Sequence, residues 1–341
     1  MGASNMRQKR ILLVGFHVEE GFIWYLEPTL EKMGYEVDHF CYRTIHQKIS
    51  ASSLIAKSFR HTPVLKSVYA AVMNRSLLRK AREFKPELIL VVKGESISGD
   101  TIKALRQEGA IVVNWFIDPI LTLEKGVLFN TIEQYDHFFT KDKFIEMRLR
   151  ELGFDNVGFL LEAYDPGTYR PIPEARNGPY ASNIAIVGNI YPYRLRLLKE
   201  IEKYGLKAWG SLVGVPKDSV SGFYQGRQAI TEEKATIFNA AKICFNSHNP
   251  FEVMGVNIRT FEIAGCGAFQ LVDKTLYLDH VFKIGKEVAC YEDLHDLRHK
   301  IEYYLEQDDE RERIGQAALR RAVQDHTYTQ RMRELFKMIK F

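Results

Sequence analysis

Cysteine is scarce. Cys41, Cys244, Cys266 and Cys290 are the four in the chain, and no two form a Cys-x-x-Cys pair. That spacing excludes a zinc ribbon and a dithiol redox motif. It also argues against the disulfide framework of a small secreted protein, so the four read as small buried apolar residues. Long hydrophobic runs are missing too: no stretch approaches 18 uncharged apolar residues, so the sequence offers no membrane span. The polar run from Met1 to Arg10 lacks the apolar core of a signal peptide, and a cytoplasmic protein is expected. Neither sign of charge dominates, since 47 Lys and Arg against 43 Asp and Glu leave a formal +4. So small and dispersed an excess does not support a nucleic-acid partner. Walker, H-E-x-x-H and G-x-S-x-G sequences are absent, and the first glycine turn does not fit G-x-G-x-x-G. No Asp-x-Asp triplet stands at a strand end to hold a metal–diphosphate. Neither a metal site nor a cofactor is therefore expected.

What is present is an alternation of apolar runs with amphipathic segments. Ile11–Gly15, Glu36–Phe40, Leu88–Val92, Ile111–Phe116 and Asp136–Thr140 read as strands with helical patterns between them. Leu161–Pro179 breaks the rhythm with Pro166, Pro171, Pro173 and Pro179, and reads as an extended connector. The alternation restarts with strands at 183–188, 207–210, 243–246, 268–272 and 287–290 and helices at 194–204, 232–241, 259–265 and 294–306. The tail from Glu310 is helical, with a break at His326-Thr327. With 341 residues, about two domains are expected. This is an α/β pattern of two parallel sheets covered by helices, and ligands of such sheets sit outside the carboxyl ends of the strands, here in a cleft between the domains.

Three places carry candidate chemistry. His17 follows the first strand, with Glu19 and Glu20 beside it, and suits a general base; the alternative is a solvated loop histidine. Gly188 ends the sixth strand-like run and Tyr193-Arg194 open the next helix, where backbone N–H groups and a guanidinium suit an anion. A cation in the first turn opposes the helix dipole, and such local conflicts often mark function. Asn257-Ile258-Arg259-Thr260-Phe261-Glu262 opens another helix and runs to Gly265-Cys266-Gly267. Arg259 suits a second contact to a diphosphate and Glu262 a ribose diol, although an Arg–Glu pair at this spacing can also simply pair with itself.

The stretch from Val187 to Arg331 resembles the C-terminal half of the CgeB-like glycosyltransferases, of GT-B fold. The matching pieces are Gly188 with Tyr191-Pro192-Tyr193-Arg194, Trp209-Gly210, Tyr224-Gln225-Gly226, Asn246, Asn257 to Glu262, and His326-Thr327-Tyr328 with Arg331. The resemblance implies two Rossmann-like domains with a cleft between them and a C-terminal helix crossing back to the first. Its domain bounds are an acceptor domain over 1–165, a nucleotide-sugar domain over 181–325 and a returning helix over 326–341. It implies that Glu262 binds the ribose, that Arg194 and Arg259 face the diphosphate, that backbone around Gln228 to Ile230 meets the base, and that Gly210 lines the floor. Asn257 and Thr260 belong to the same donor-binding motif. One departure stands out: where related retaining enzymes carry a second glutamate eight residues before Glu262, this chain has Met254, and Glu252 is out of register.

The function expected is therefore transfer of a sugar from a nucleoside-diphosphate sugar to an acceptor, without a metal. His17 is the first candidate for the base and Asp118 the second. A nucleotide-sugar epimerase on the same fold, or an assembly or coat protein without turnover, are the alternatives.

Overall fold

The computed structural model describes residues 8–42, 63–123 and 127–341. The chain forms two compact units, one of Met1–Leu161 with Met332–Phe341, the other Glu162–Arg331.

The first unit contains β1 (Arg10–Gly15), α1 (Phe22–Lys32), β2 (Glu36–Cys41), α2 (Pro63–Phe84), β3 (Leu88–Val92), α3 (Gly99–Gln107), β4 (Ile111–Phe116), β5 (His137–Thr140), α4 (Lys143–Glu151) and β6 (Val157–Phe159). Its sheet runs β2-β1-β3-β4-β5-β6, each neighbouring pair parallel. All of β3 and nearly all of β1 and β4 are buried. That explains their unbroken apolar sequences, since helices cover both faces of a parallel sheet. Leu12, Val14, Ile89, Val91 and Val112 meet Leu77, Ile102 and Leu105 from the helices in one core. Each such side chain contributes about 1.5–3 kcal/mol by leaving water. Where a helix starts, a side chain closes it: Ser98 accepts from Thr101 N–H at 3.3 Å ahead of α3, and Asp142 from Phe144 N–H at 2.8 Å ahead of α4.

The second unit contains β7 (Ser182–Val187), α5 (Pro192–Ile201), β8 (Leu206–Trp209), α6 (Thr231–Ala240), β9 (Ala241–Asn246), α7 (Ile258–Gly265), β10 (Gln270–Asp273), α8 (Leu278–Val281), β11 (Ala289–Tyr291), α9 (Leu294–Glu306) and α10 (Asp308–Asp325). The sheet order is β11-β10-β9-β7-β8, again parallel throughout. In each sheet the chain leaves its first strand in one direction and continues in the other. The reversal falls between β1 and β3 in the first sheet and between β7 and β9 in the second. The carboxyl ends at those two places, Gly15 with Val92 and Val187 with Asn246, are where ligands of such sheets bind.

One feature differs from the sequence reading. The proline-rich stretch is packed rather than free: Glu162 onward groups with the second unit, Tyr169 is buried, and Ile172 N–H donates to Asn239 Oδ1 at 2.8 Å while Asn239 Nδ2 donates to Arg170 O at 3.0 Å. One amide on α6 thus satisfies the backbone of a segment that can join neither helix nor sheet. The break at His326 is real, and Thr327 opens α11 (Tyr328–Ile339), accepting from Gln330 N–H at 3.4 Å. The part of α11 from Met332 belongs to the first unit. There Phe336 and Phe341 pack on Tyr35 with ring centroids 5.1 and 5.9 Å apart.

Candidate active site

At the reversal of the second sheet two glycine turns meet. Gly188 has φ +147°, and a Cβ on it would lie 2.6 Å from Arg259 Nη1 and 3.5 Å from Arg194 Nη1. Both guanidinium groups therefore close on one bare backbone position. Gly210, φ +152°, packs so tightly under it that a Cβ would stand 1.9 Å from Gly188 O. Only glycine combines these backbone angles with that approach.

The two arginines are held differently. Arg194 is 2% exposed; its Nε donates to Ser247 Oγ at 2.8 Å, its Nη1 to Asn189 O at 2.6 Å, and its Nη2 to Ser247 O. All three nitrogens brace the β7 turn against the end of β9. Burial, and next the charge of Arg259, push its guanidinium down to about 10. The sequence reading placed Arg194 on the anion; its direct partners are protein carbonyls and a hydroxyl. Arg259 is only partly buried, and its Nε donates to Asn246 Oδ1 at 3.2 Å. Asn246 also gives its amide to Asn257 Oδ1 at 3.1 Å and Gln270 Oε1 at 2.8 Å, and accepts from Asn257 Nδ2 at 3.0 Å. Asn257 caps α7, accepting from Thr260 N–H. Asn257 and Thr260, expected beside the ligand, are thus buried members of the amide network that aims Arg259. Tyr193 lies 47% exposed on the outside of α5.

Glu262, the expected ribose ligand, is 1% exposed, and its carboxylate oxygens lie 3.0 and 2.8 Å from Lys234 Nζ. Its ion-pair partner comes from α6, a residue the sequence reading passed over because a lone lysine on a helix carries no signal. The loop before α6 closes the far side: Gly210 N–H donates to Arg227 O at 3.0 Å, Gln228 reaches the Ser211 hydroxyl, and Ile230 caps α6. Gly210, Gln228 and Ile230 are thereby brought together around one turn.

A further group was missed. His248, two residues past β9 and 1% exposed, has Nδ1 2.8 Å from Asp273 Oδ1, which also accepts from its backbone N–H at 2.8 Å. Its Nε2 is buried with no hydrogen-bond partner among the described residues. The signal was available: a histidine directly after a buried strand, the argument already applied to His17.

In the first unit, the end of the β1–β3 pair carries a pocket of about 660 Å³ lined by Phe16, Phe22, Tyr42, Tyr69, Lys93 and Glu95 among others. His17 sits on the same turn, and its carboxylate partner is Glu27 of α1, with Nε2 2.7 Å from Oε2. The second oxygen of Glu27 lies 3.1 Å from His39 Nδ1, and the two imidazoles stack 4.1 Å apart. Asp118, the other candidate base, is paired with Lys93 Nζ at 2.8 Å. A different cavity, about 580 Å³, opens at the amino ends of the second sheet beside Arg176 and Arg311. Those cations are matched by Glu312 and Asp308.

Two parallel sheets of this order are the architecture of the GT-B fold. Residues 193–337 match the glycosyl transferase-like family model. The CgeB resemblance also holds: the chain is 25% identical to the spore protein CgeB of Bacillus subtilis, over 74% of this chain and 82% of that protein. Among solved structures, a sucrose-phosphate synthase from Thermosynechococcus elongatus is similar with a TM-score of 0.69 at 14% identity, covering 97% of this chain and 99% of that one. Anabaena Alr3699/HepE in complex with UDP and glucose gives 0.66 at 12% identity, over 98% and 100%. Among the described residues no helix is long and apolar enough to cross a membrane.

Proposed function

We propose that the second unit holds a nucleoside-diphosphate sugar by its diphosphate and that the sugar passes to an acceptor bound by the first unit, with no metal on the diphosphate. The observation that carries this reading is the convergence of Arg194 and Arg259 on Gly188. Two guanidinium groups against one glycine repel each other, the charge of Arg259 adding to the burial that chiefly lowers Arg194, and an anion seated there relieves the repulsion. Arg259, the more accessible, makes the contact; Arg194 contributes field and holds the turn. When the bond from the anomeric carbon to the phosphate oxygen breaks, its electron pair stays on the diphosphate. Fixed cations stabilise that charge without reorganising, and one such contact is worth about 2.7–4 kcal/mol of barrier.

Glu262 takes the ribose by trading part of its pairing with Lys234, while the turn of Gly210, Gln228 and Ile230 receives the base. In an inverting course the acceptor's proton goes to His17. An ionised carboxylate only accepts, so Nε2 carries the hydrogen given to Glu27, and Nδ1 is left with the lone pair that takes the proton. In a retaining course the donor phosphate takes it instead. Asp118, committed to Lys93, ranks below His17.

The test is thermal unfolding with UDP, GDP, dTDP and their sugars, UDP first because the Anabaena relative is described with it. A nucleotide at 100 times its Kd adds about 2.7 kcal/mol of stability. A panel in which no nucleotide diphosphate shifts the transition overturns the reading.

A further inference from the structure

In the first unit, one cluster gathers two imidazoles around a single carboxylate. His17 follows β1, Glu27 lies in α1 and His39 in β2, so three separate elements bring their side chains to one point. The candidate donor atoms, one from each residue, all lie within 4.8 Å of one another. The two imidazoles reach different oxygens of the one carboxylate, His17 Nε2 lying 2.7 Å from Glu27 Oε2 and His39 Nδ1 3.1 Å from Glu27 Oε1. Donors around a tetrahedral zinc ion, with bonds near 2.0–2.1 Å, stand about 3.3 Å apart; the two rings now stack with centroids 4.1 Å apart and planes 7° from parallel, so one imidazole, the more exposed His39, turns out of the stack for both lone pairs to meet one ion. The side chains are 21%, 23% and 36% exposed, which leaves an entry path and room for water in the remaining coordination positions.

We propose that His17, Glu27 and His39 form a binding site for a divalent transition-metal ion, with zinc the best match. Two imidazoles and one carboxylate favour zinc, iron, nickel or copper over magnesium or calcium, which prefer all-oxygen sites. The same trio with an open position is the donor set of a non-structural zinc site. The site goes beyond glycosyl transfer and does not depend on it, but it bears on His17. A metal on Nε2 displaces the hydrogen now given to Glu27. The neutral ring then carries its hydrogen on Nδ1, and the lone pair assigned to the acceptor's proton is gone. Metal binding and base action at His17 exclude each other, so zinc inhibits transfer in an inverting course.

The experiment is calorimetric titration of zinc into the chelator-treated full chain, made without a histidine tag, alongside His39→Ala and Glu27→Gln. His39 is on an edge strand and partly exposed, and thermal unfolding of each variant reports that it has folded. The expected result is one zinc ion bound by the parent that both folded variants lose, with affinity falling about tenfold or more. His39→Gln, which keeps the side chain's bulk, is read in place of His39→Ala if the latter does not fold. Zinc uptake that is the same in parent and variants, or none by the parent, overturns the site. Neither result touches the nucleotide panel, so the two readings fail independently.

Discussion

Arg194 and Arg259 show how two residues of one type, both read as phosphate contacts, divide into different tasks. Arg194 spends three nitrogens on Ser247 and Asn189 at 2% exposure. A lysine cannot make that planar set of bonds, and each buried acceptor left unmatched costs about 1–3 kcal/mol. Arg194→Lys is therefore expected to lower the unfolding temperature clearly, as calorimetry would show. Arg259→Ala is expected to leave stability nearly unchanged while nucleotide-diphosphate affinity falls at least tenfold by titration; equal affinity would remove Arg259 from the donor site. Glu262 needs more care, because Glu262→Ala removes the carboxylate paired with buried Lys234, and breaking a buried pair costs about 3–5 kcal/mol. Donor binding should therefore be compared in Glu262→Gln, and a variant that folds and binds UDP as the parent does removes the ribose assignment.

The strand-end turns are the elements on which the site depends, and their two glycines should respond unequally. Gly188→Ala meets the movable end of Arg259, whereas Gly210→Ala meets the backbone oxygen of Gly188 at 1.9 Å. Backbone strain of this kind costs about 1–3 kcal/mol. Gly188→Ala is expected to fold and lose donor affinity, and Gly210→Ala to unfold at markedly lower temperature; the reverse order would contradict the packing described. Strands and helices were readable from the sequence because each is a contiguous apolar pattern: β3 and β4 were placed to the residue. The meeting of Gly188 with Arg194 was readable because the two are six positions apart in one strand-end turn. Lys234 with Glu262, His248 with Asp273, and His17 with Glu27 and His39 were not. Each joins residues from different elements, and only folding sets their spacing. The polar neighbours Glu19 and Glu20 drew attention from Glu27, which lies ten residues on but next to His17 in space.

For the second unit as a whole, pH enters through His326. Burial, and then the charge of Arg331, push its imidazole down to about 3, between Phe261 and Phe282 with ring centroids 5.0 and 5.1 Å away. The unfolded chain takes up that proton near pH 6.5. The folded chain binds fewer protons in between, so stability from this group is complete above about 6.5 and is lost as pH falls toward 3, by up to about 1.4 kcal/mol per pH unit. In His326→Gln the fall in unfolding temperature between about pH 6.5 and about pH 5 should be shallower than in the parent; identical slopes would assign the acid sensitivity to carboxylates. The first unit is built from segments on both sides of the second in sequence: Phe336 and Phe341 cover Tyr35, with Lys9 Nζ 4.3 Å from the Phe341 ring centroid. A ribosome emits the segments in linear order, so the unit begun first is completed only after every residue of the other has emerged. Until then Tyr35 lacks its aromatic cover, and a chain halted at Arg331 would carry an unfinished first unit beside a second whose residues are all present.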